Sequence, residues 1–287
     1  MPYLLFVSLL WAFSFGLVKQ LTGLDGAFIS AARLALALLV FLPFLRVTHI
    51  RARTVLALAG IGAVQFGFMY LAYNESFRFL KSYEIALFTL TTPILVTLLA
   101  DAFDRTLRPM ALFAALLAVA GGACIVVKTT AVSGALTGIA LVQLSNLAFA
   151  LGQVWYRRLR ARPEHSSFRD RDVFALLYAG AFIVTLPATY LRTDLAALPL
   201  NTANLRVLLY LGVIASGLGF FLWNLGATRV RSGTLAVMNN LKIPLAVACS
   251  ILVFGEKADW RRLLAAGSLM GIAVWLAEKK ARPVVAP

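Results

Sequence analysis

Lys242 makes the sharpest chemical demand in the sequence. It stands about nine residues into the apolar run Gly233 to Phe254, which at 1.5 Å per helical residue places its ammonium roughly 13 Å deep, near a bilayer centre. A cation at that depth needs a wet cavity or a counter-charge, so contact with a substrate or ion competes with a structural ion pair. Asn239 and Asn240 precede it, and the run Asn239-Asn240-Leu241-Lys242-Ile243-Pro244 sets amide groups beside the cation, a chemistry suited to a carboxylate. Pro244 and, in the earlier run Ser82 to Ala100, Pro93 both fall in mid-run. Proline has no N–H to donate and clashes with the carbonyl four residues back, so the carbonyls of Asn240 and Thr89 are freed and each helix is expected to bend. Two such bent helices flank a solute site, unless the kinks serve packing alone.

Glu84 opens the run that holds Pro93. It reads either as a proton-coupling carboxylate or as a first-turn acid paired with Lys81 three residues before it. Arg33 lies about 9 Å from the end of its run, within reach of the interface by snorkelling, and reads as structural. Trp11, Ser14, Gln65, Tyr70, Gln143, Asn146, Gln153, Trp223 and Asn224 form a softer polar and aromatic layer, facing either a cavity or a neighbouring helix. Trp155 and Trp260 sit near run ends, where tryptophan anchors at the interface. Lys242, Asn239, Asn240, Trp11, Ser14, Thr89, Asn146, Tyr70 and Asn224 are the candidate substrate contacts, with Pro93 and Pro244 as hinges.

The elements that must hold these groups follow from composition. Of 287 residues, 61% are hydrophobic and 14% charged, with mean hydropathy +0.86. Ten apolar runs can be drawn: Pro2 to Val18, Ala27 to Leu45, Thr54 to Tyr73, Ser82 to Ala100, Pro109 to Val127, Gly134 to Tyr156, Val173 to Leu191, Leu205 to Ala227, Gly233 to Phe254 and Arg261 to Ala277. At about 20 residues per span they consume about 200 residues and leave no room for a soluble domain. Each must be a helix, since a span in lipid satisfies its own backbone hydrogen bonds. The start of the chain lacks the basic segment and small-residue cleavage site of a secretory signal and reads as a retained first span.

Net charge is +15, from 27 Lys+Arg against 12 Asp+Glu, but the basic residues are scattered in short gaps rather than gathered on one face, which argues against nucleic acid. Segments 46–53, 105–108, 157–171, 229–231 and 279–282 hold sixteen of them, and the alternate gaps hold nine. The excess puts both termini in the cytoplasm. The basic stretch from Arg157 to Asp172 reads as a connector that sets topology, or as a binder of anionic lipid or a partner. His49 and His165 read as solvated loop residues. Cys124 and Cys249 lie inside apolar runs without metal-ligand spacing and read as small buried hydrophobes. Hydrolase, metalloprotease, phosphate-loop and dinucleotide motifs are all absent, so the protein reads as a non-enzyme without cofactor or metal.

The chain repeats itself. Gly60-Ile61-Gly62, Gly67-Phe68-Met69 and Pro93 return as Gly212-Val213-Ile214, Gly219-Phe220-Phe221 and Pro244, at offsets of 152, 152 and 151. The spacing predicts an all-α integral membrane protein of ten transmembrane helices built as a 5+5 inverted repeat, because a unit of five spans re-enters the membrane upside down. The two units are residues 1–130 and 131–287.

Several pieces, in this order, resemble the EamA type of the drug/metabolite transporter superfamily. They are Trp11-Ala12-Phe13-Ser14-Phe15; Arg33 before an Ala/Leu run; Ser82-Tyr83-Glu84-Ile85-Ala86-Leu87 leading to Thr92-Pro93; Ser232-Gly233-Thr234-Leu235-Ala236 through Pro244; and Phe254-Gly255-Glu256. The family often places Gly-Glu after the fourth helix of both repeats, but the first half here reads Asp101-Ala102-Phe103-Asp104. The resemblance implies a central cavity and alternating access. The Arg- and Ala-rich composition without a targeting sequence reads as that of a bacterial inner-membrane protein, expected to be a monomer. The expected activity is export or exchange of small metabolites such as amino acids or carboxylates. A non-transporting membrane protein, such as an intramembrane enzyme or assembly factor, and a channel are the alternatives.

Overall fold

The computed structural model describes residues 1–18, 20–21, 23–48, 50–80, 82–126, 136–165, 168–254 and 260–279. Regular structure among them is helical throughout. The helices are α1 (Pro2–Val18), α2 (Gly26–Phe44), α3 (Ala52–Ser76), α4 (two segments, Ser82–Thr89 and Thr92–Asp104), α5 (Pro109–Val126), α6 (Leu136–Arg160), α7 (Asp170–Arg192), α8 (Thr202–Ala227), α9 (Ser232–Phe254) and α10 (Trp260–Lys279). Each covers one of the apolar runs. Six helical stretches, α2, α3, Glu84–Asp104, α6, α7 and α8, are long and apolar enough to cross a membrane, and α1 and α5 carry shorter apolar stretches. The protein is a multi-pass membrane protein.

Its polarity is that of a protein dissolved in lipid. Large apolar side chains such as Leu39, Leu56, Ile183 and Trp275 face outward, while Arg33, Gln65, Asn146, Gln153, Asn224, Asn239 and Asn240 are buried. Where the outside is hydrocarbon, burying apolar groups gains little, and close packing with interhelical hydrogen bonds holds the bundle instead. Thus α3 and α7 touch backbone to backbone: a β-carbon on Gly62 would lie 1.9 Å from the Leu177 carbonyl oxygen, and one on Gly180 would lie 2.0 Å from that of Ala59.

Contacts between turns define the two ends. At one end Arg229 donates to the Tyr3 hydroxyl at 3.1 Å, the Arg46 N–H donates to the Asp172 carbonyl at 2.9 Å, and Arg158 pairs with Asp104. The starts of α1 and α7, the ends of α4 and α6, and the turn between α8 and α9 therefore lie together at an arginine-rich end. At the other end Arg192 pairs with Glu75 at 2.7 Å and Thr193 with Asp25. Successive helices alternate in direction.

Four sequence expectations need correction. The prolines act unequally: α4 is interrupted at Leu90-Thr91, with Pro93 in the first turn of its second segment, whereas α9 runs on through Pro244. The break is tolerated because its carbonyls find side-chain donors. The Phe88 oxygen accepts from Asn146 at 2.9 Å and Gln143 at 3.1 Å, and that of Leu90 accepts from Asn240 at 3.0 Å. Replacing Asn240 by Leu is expected to leave the Leu90 carbonyl unpaired and cost about 1–2 kcal/mol, read as a lower unfolding temperature in detergent.

His165 is no solvated loop residue. It is buried, its Nδ1 2.7 Å from the Leu159 carbonyl oxygen and its Nε2 3.2 Å from Thr54 Oγ1, because the segment after α6 folds back as a short 3-10 turn over the start of α3. Cys124 is exposed on the outer face, where a small thiol is compatible with hydrocarbon, rather than buried among helices. Arg33, expected at the interface, is buried at 6% exposure, because Ser216 and Tyr70 receive its guanidinium inside the bundle. His49, Lys81, Gly255 and Glu256, the boundary between residues 130 and 131, and the side chains of Cys249 and Trp260 lie outside what is described.

Candidate functional site

The site grows from two helical irregularities. In α3 the coil widens to a π-helix over Ala63–Phe68, and in α8 over Tyr210–Leu218. Both overlap the glycine-containing stretches that repeat in the sequence. A π turn leaves carbonyls out of the regular ladder, and such turns recur at functional sites. In α8 several carbonyls of the π segment accept from side chains of other helices. Trp11 Nε1 donates to Ala215 O at 2.9 Å, and the single proton of the Tyr178 hydroxyl is shared between Gly217 O at 2.6 Å and Ser216 O at 2.9 Å. The Ser216 hydroxyl donates to Leu211 O at 2.7 Å, which leaves its oxygen to accept from Arg33 Nε at 3.0 Å. The Arg33 guanidinium also lies 4.4 Å from the centre of the Tyr70 ring, whose hydroxyl is 3.0 Å from Ser216 Oγ.

Beside this cluster is a cavity of about 130 Å³ lined by residues of α1, α2, α3, α4, α6, α8 and α9. Arg33 and Lys242 supply its positive charge, and Trp11, Tyr70, Tyr73, Phe149 and Phe220 its ring faces. Ser14, Thr89, Thr92, Ser145 and Asn146 supply its polar groups. The Lys242 ammonium lies 5.6 Å from the centre of the Trp11 ring, a cation–π arrangement. No carboxylate is among the described residues that line the cavity. Two cations among aromatic faces, without a lining acid, make a binding environment for an organic anion. Drug-sized ligands fill pockets of about 300 Å³ upward, so side chains must shift to admit anything larger than a few heavy atoms.

Of the candidate contacts, Lys242, Trp11, Ser14, Thr89, Asn146 and Tyr70 line this cavity. Asn239, Asn240 and Asn224 do not. Asn224 forms a two-way amide pair with Gln65, at 3.0 and 3.2 Å. Asn239 pairs with Gln153 at 3.4 Å, and Trp223 Nε1 donates to Gln153 Oε1 at 3.0 Å. Together with the stacked Phe66 and Phe220 rings, 4.4 Å apart, these buried amides form a layer towards the arginine-rich end of the bundle. Glu84 is 1% exposed and is not among the lining residues. Sequence reasoning missed Ser216, which carries no signal beyond its place among the repeated glycines, and undervalued Arg33, because depth along a helix says nothing about the direction a side chain takes.

The chain has known relatives. The chain is 41% identical over 279 residues to a probable biotin transporter of Pseudomonas aeruginosa, covering 96% of each. It is 37% identical over 289 residues to a biotin transporter of Escherichia coli strain K12, covering 99% of this chain and 94% of that one. A crystal structure of 16% sequence identity superposes with a TM-score of 0.78 over 96% of each chain and shares the fold. The sequence pattern of the EamA-like transporter family matches residues 1–127 and again 136–277. With apolar helices around a buried polar cavity, and with that pattern matched along nearly its whole length, the chain belongs to the EamA-like transporter family and is a membrane transporter, not an enzyme.

Proposed function

We propose that the protein carries biotin, or a carboxylate closely like it, across a bacterial inner membrane by alternating access between two inverted five-helix halves, residues 1–130 and 131–287. The observation that carries the reading is the cavity with two cations and no lining carboxylate. Biotin supplies what it lacks: a carboxylate for the cations and a compact fused ring for the aromatic faces. The names of the relatives point to the same compound. Amino acids suit the cavity less, because their ammonium would meet Arg33 and Lys242.

The halves are supported by helix pairing. α1 packs on α8 and α9 as α6 packs on α3 and α4, while α2 packs on α8 as α7 packs on α3. Each half has its π-helix in the third helix, and α6 runs opposite to α1. In this reading the chain crosses the membrane ten times, and the lysine and arginine bias favours both termini in the cytoplasm. In this reading the protein acts as a monomer.

Proteoliposomes loaded with labelled biotin test the reading. Saturable flux, competed by unlabelled biotin but not by its neutral amide, is the expected result. Equal competition by the amide would remove the carboxylate from recognition, and flux that never saturates would indicate a channel. Imposing the biotin gradient in either direction, and then equal biotin on both sides, separates export from exchange.

Glu84, a carboxylate buried in a span, is the proton-coupling group in this reading. Replacing it by Gln is expected to remove the stimulation of flux by a pH gradient while leaving exchange at equal pH within about twofold. Stimulation that survives the substitution would assign coupling elsewhere.

A further inference from the structure

A second, larger cavity lies at the arginine-rich end, between the turn joining α4 to α5, the end of α6, and the facing ends of α9 and α10. Its volume is about 1460 Å³. Arg108, Arg157, Arg158, Arg162 and Arg231 line it, against the single lining carboxylate Asp104. Asp104 is already shared by Arg108 and Arg158. Arg157 donates to Ser232 Oγ at 2.5 Å and Arg231 to the backbone carbonyl of Glu278, and neither forms an ion pair among the described residues. Residues 280–287, KARPVVAP, bring two more cations and no acidic side chain, so they are no counter-charge.

The opposite wall is apolar. Leu107 is 88% exposed and Phe113 51%, with Met110 and Leu276 beside them. A charged mouth joined to an outward-facing apolar wall is amphipathic in the way a phospholipid is. A soluble anion satisfies the arginines but leaves the wall bare. Basic pockets between membrane helices are places where anionic headgroups bind.

We propose that this cavity binds an anionic phospholipid, its phosphate held by Arg157 and Arg231 and an acyl chain lying along Leu107 and Phe113. Arg157 belongs to α6 and Arg231 to the start of α9, while the apolar wall comes mostly from α5, so the lipid joins the two halves of the bundle at the mouth opposite the broken segment of α4. The proposal is independent of which solute the central cavity takes.

Thermal unfolding in neutral detergent, titrated with phosphatidylglycerol, phosphatidylcholine, glycerol phosphate or inorganic phosphate, tests it. A saturable rise in unfolding temperature with phosphatidylglycerol alone is expected. Each guanidinium near an anionic headgroup is worth about fivefold in affinity, so the R157Q/R231Q variant is expected to need about thirtyfold more of that lipid. Leu107→Asn, at a position too exposed to threaten folding, is expected to weaken phosphatidylglycerol about tenfold by removing apolar contact. A full response to glycerol phosphate or inorganic phosphate would overturn the lipid in favour of a free anion. An unchanged phosphatidylglycerol response in R157Q/R231Q, or in Leu107→Asn should the double variant not fold, would overturn the site.

Discussion

Replacing Lys242 by methionine is expected to reduce biotin transport by about thirtyfold or more in proteoliposomes while the protein stays folded. Methionine keeps an unbranched, flexible chain against the Trp11 ring and removes only the charge. Arg33 cannot make up the loss alone, because its Nε is already committed to Ser216 and its guanidinium lies 4.4 Å from the centre of the Tyr70 ring. Losing one partner of a buried charge pair costs about 2–5 kcal/mol, which is about thirtyfold to several thousandfold in binding. Stability should move the other way, since the free protein no longer buries an ammonium among aromatic rings. The unfolding temperature without biotin is therefore expected to be unchanged or higher, and its rise on adding biotin to vanish. Initial rates and unfolding curves on the same preparation check both. A variant transporting within threefold of the parent would take Lys242 out of substrate recognition.

Gly62→Val is expected to abolish recovery of folded protein. The clashing atom would be the Leu177 carbonyl oxygen, 1.9 Å from the new β-carbon, and it belongs to a helix that cannot yield as a side chain does. Overpacking usually costs 1–3 kcal/mol, and against a backbone, in a bundle held by close approach, the cost is expected to exceed about 3 kcal/mol. Gly60, two residues earlier, has nothing within 4 Å of the corresponding position. Gly60→Ala is therefore expected to be neutral or to stabilise by up to about 1 kcal/mol, through helix propensity alone. Size-exclusion profiles and unfolding temperatures of the two variants decide the matter. A monodisperse Gly62→Val protein of parental stability would contradict the contact.

Much of the fold was legible because lipid imposes a simple rule. A run of apolar residues long enough to span must be a helix, so Pro2 to Val18 or Leu205 to Ala227 was readable within a few residues of its structural ends. The place of Lys242 midway along its helix was readable from the same arithmetic. Direction was not, and that is why Arg33 read as a snorkelling side chain and His165 as a solvated one. Whether a side chain at a given depth turns to lipid, to a cavity or to a neighbour depends on helix rotation, which neighbouring helices set. The amides show this well: Asn146 and Asn224 read alike, yet one lines the cavity and the other is committed to Gln65.

By itself, then, the sequence determined a helical membrane protein with a repeated glycine and proline pattern and a lysine placed midway along an apolar helix. Tertiary structure alone decided that α4 breaks while α9 does not, although both carry the proline. The difference lies in partners: Asn146, Gln143 and Asn240 converge from other helices on the carbonyls of α4, and a broken ladder is tolerated in lipid only where such donors arrive. It alone decided that Arg33 and Lys242, more than two hundred residues apart in the chain, share one cavity. Hydropathy and spacing are local properties, whereas the meeting of two charges depends on which faces the packed helices turn inward.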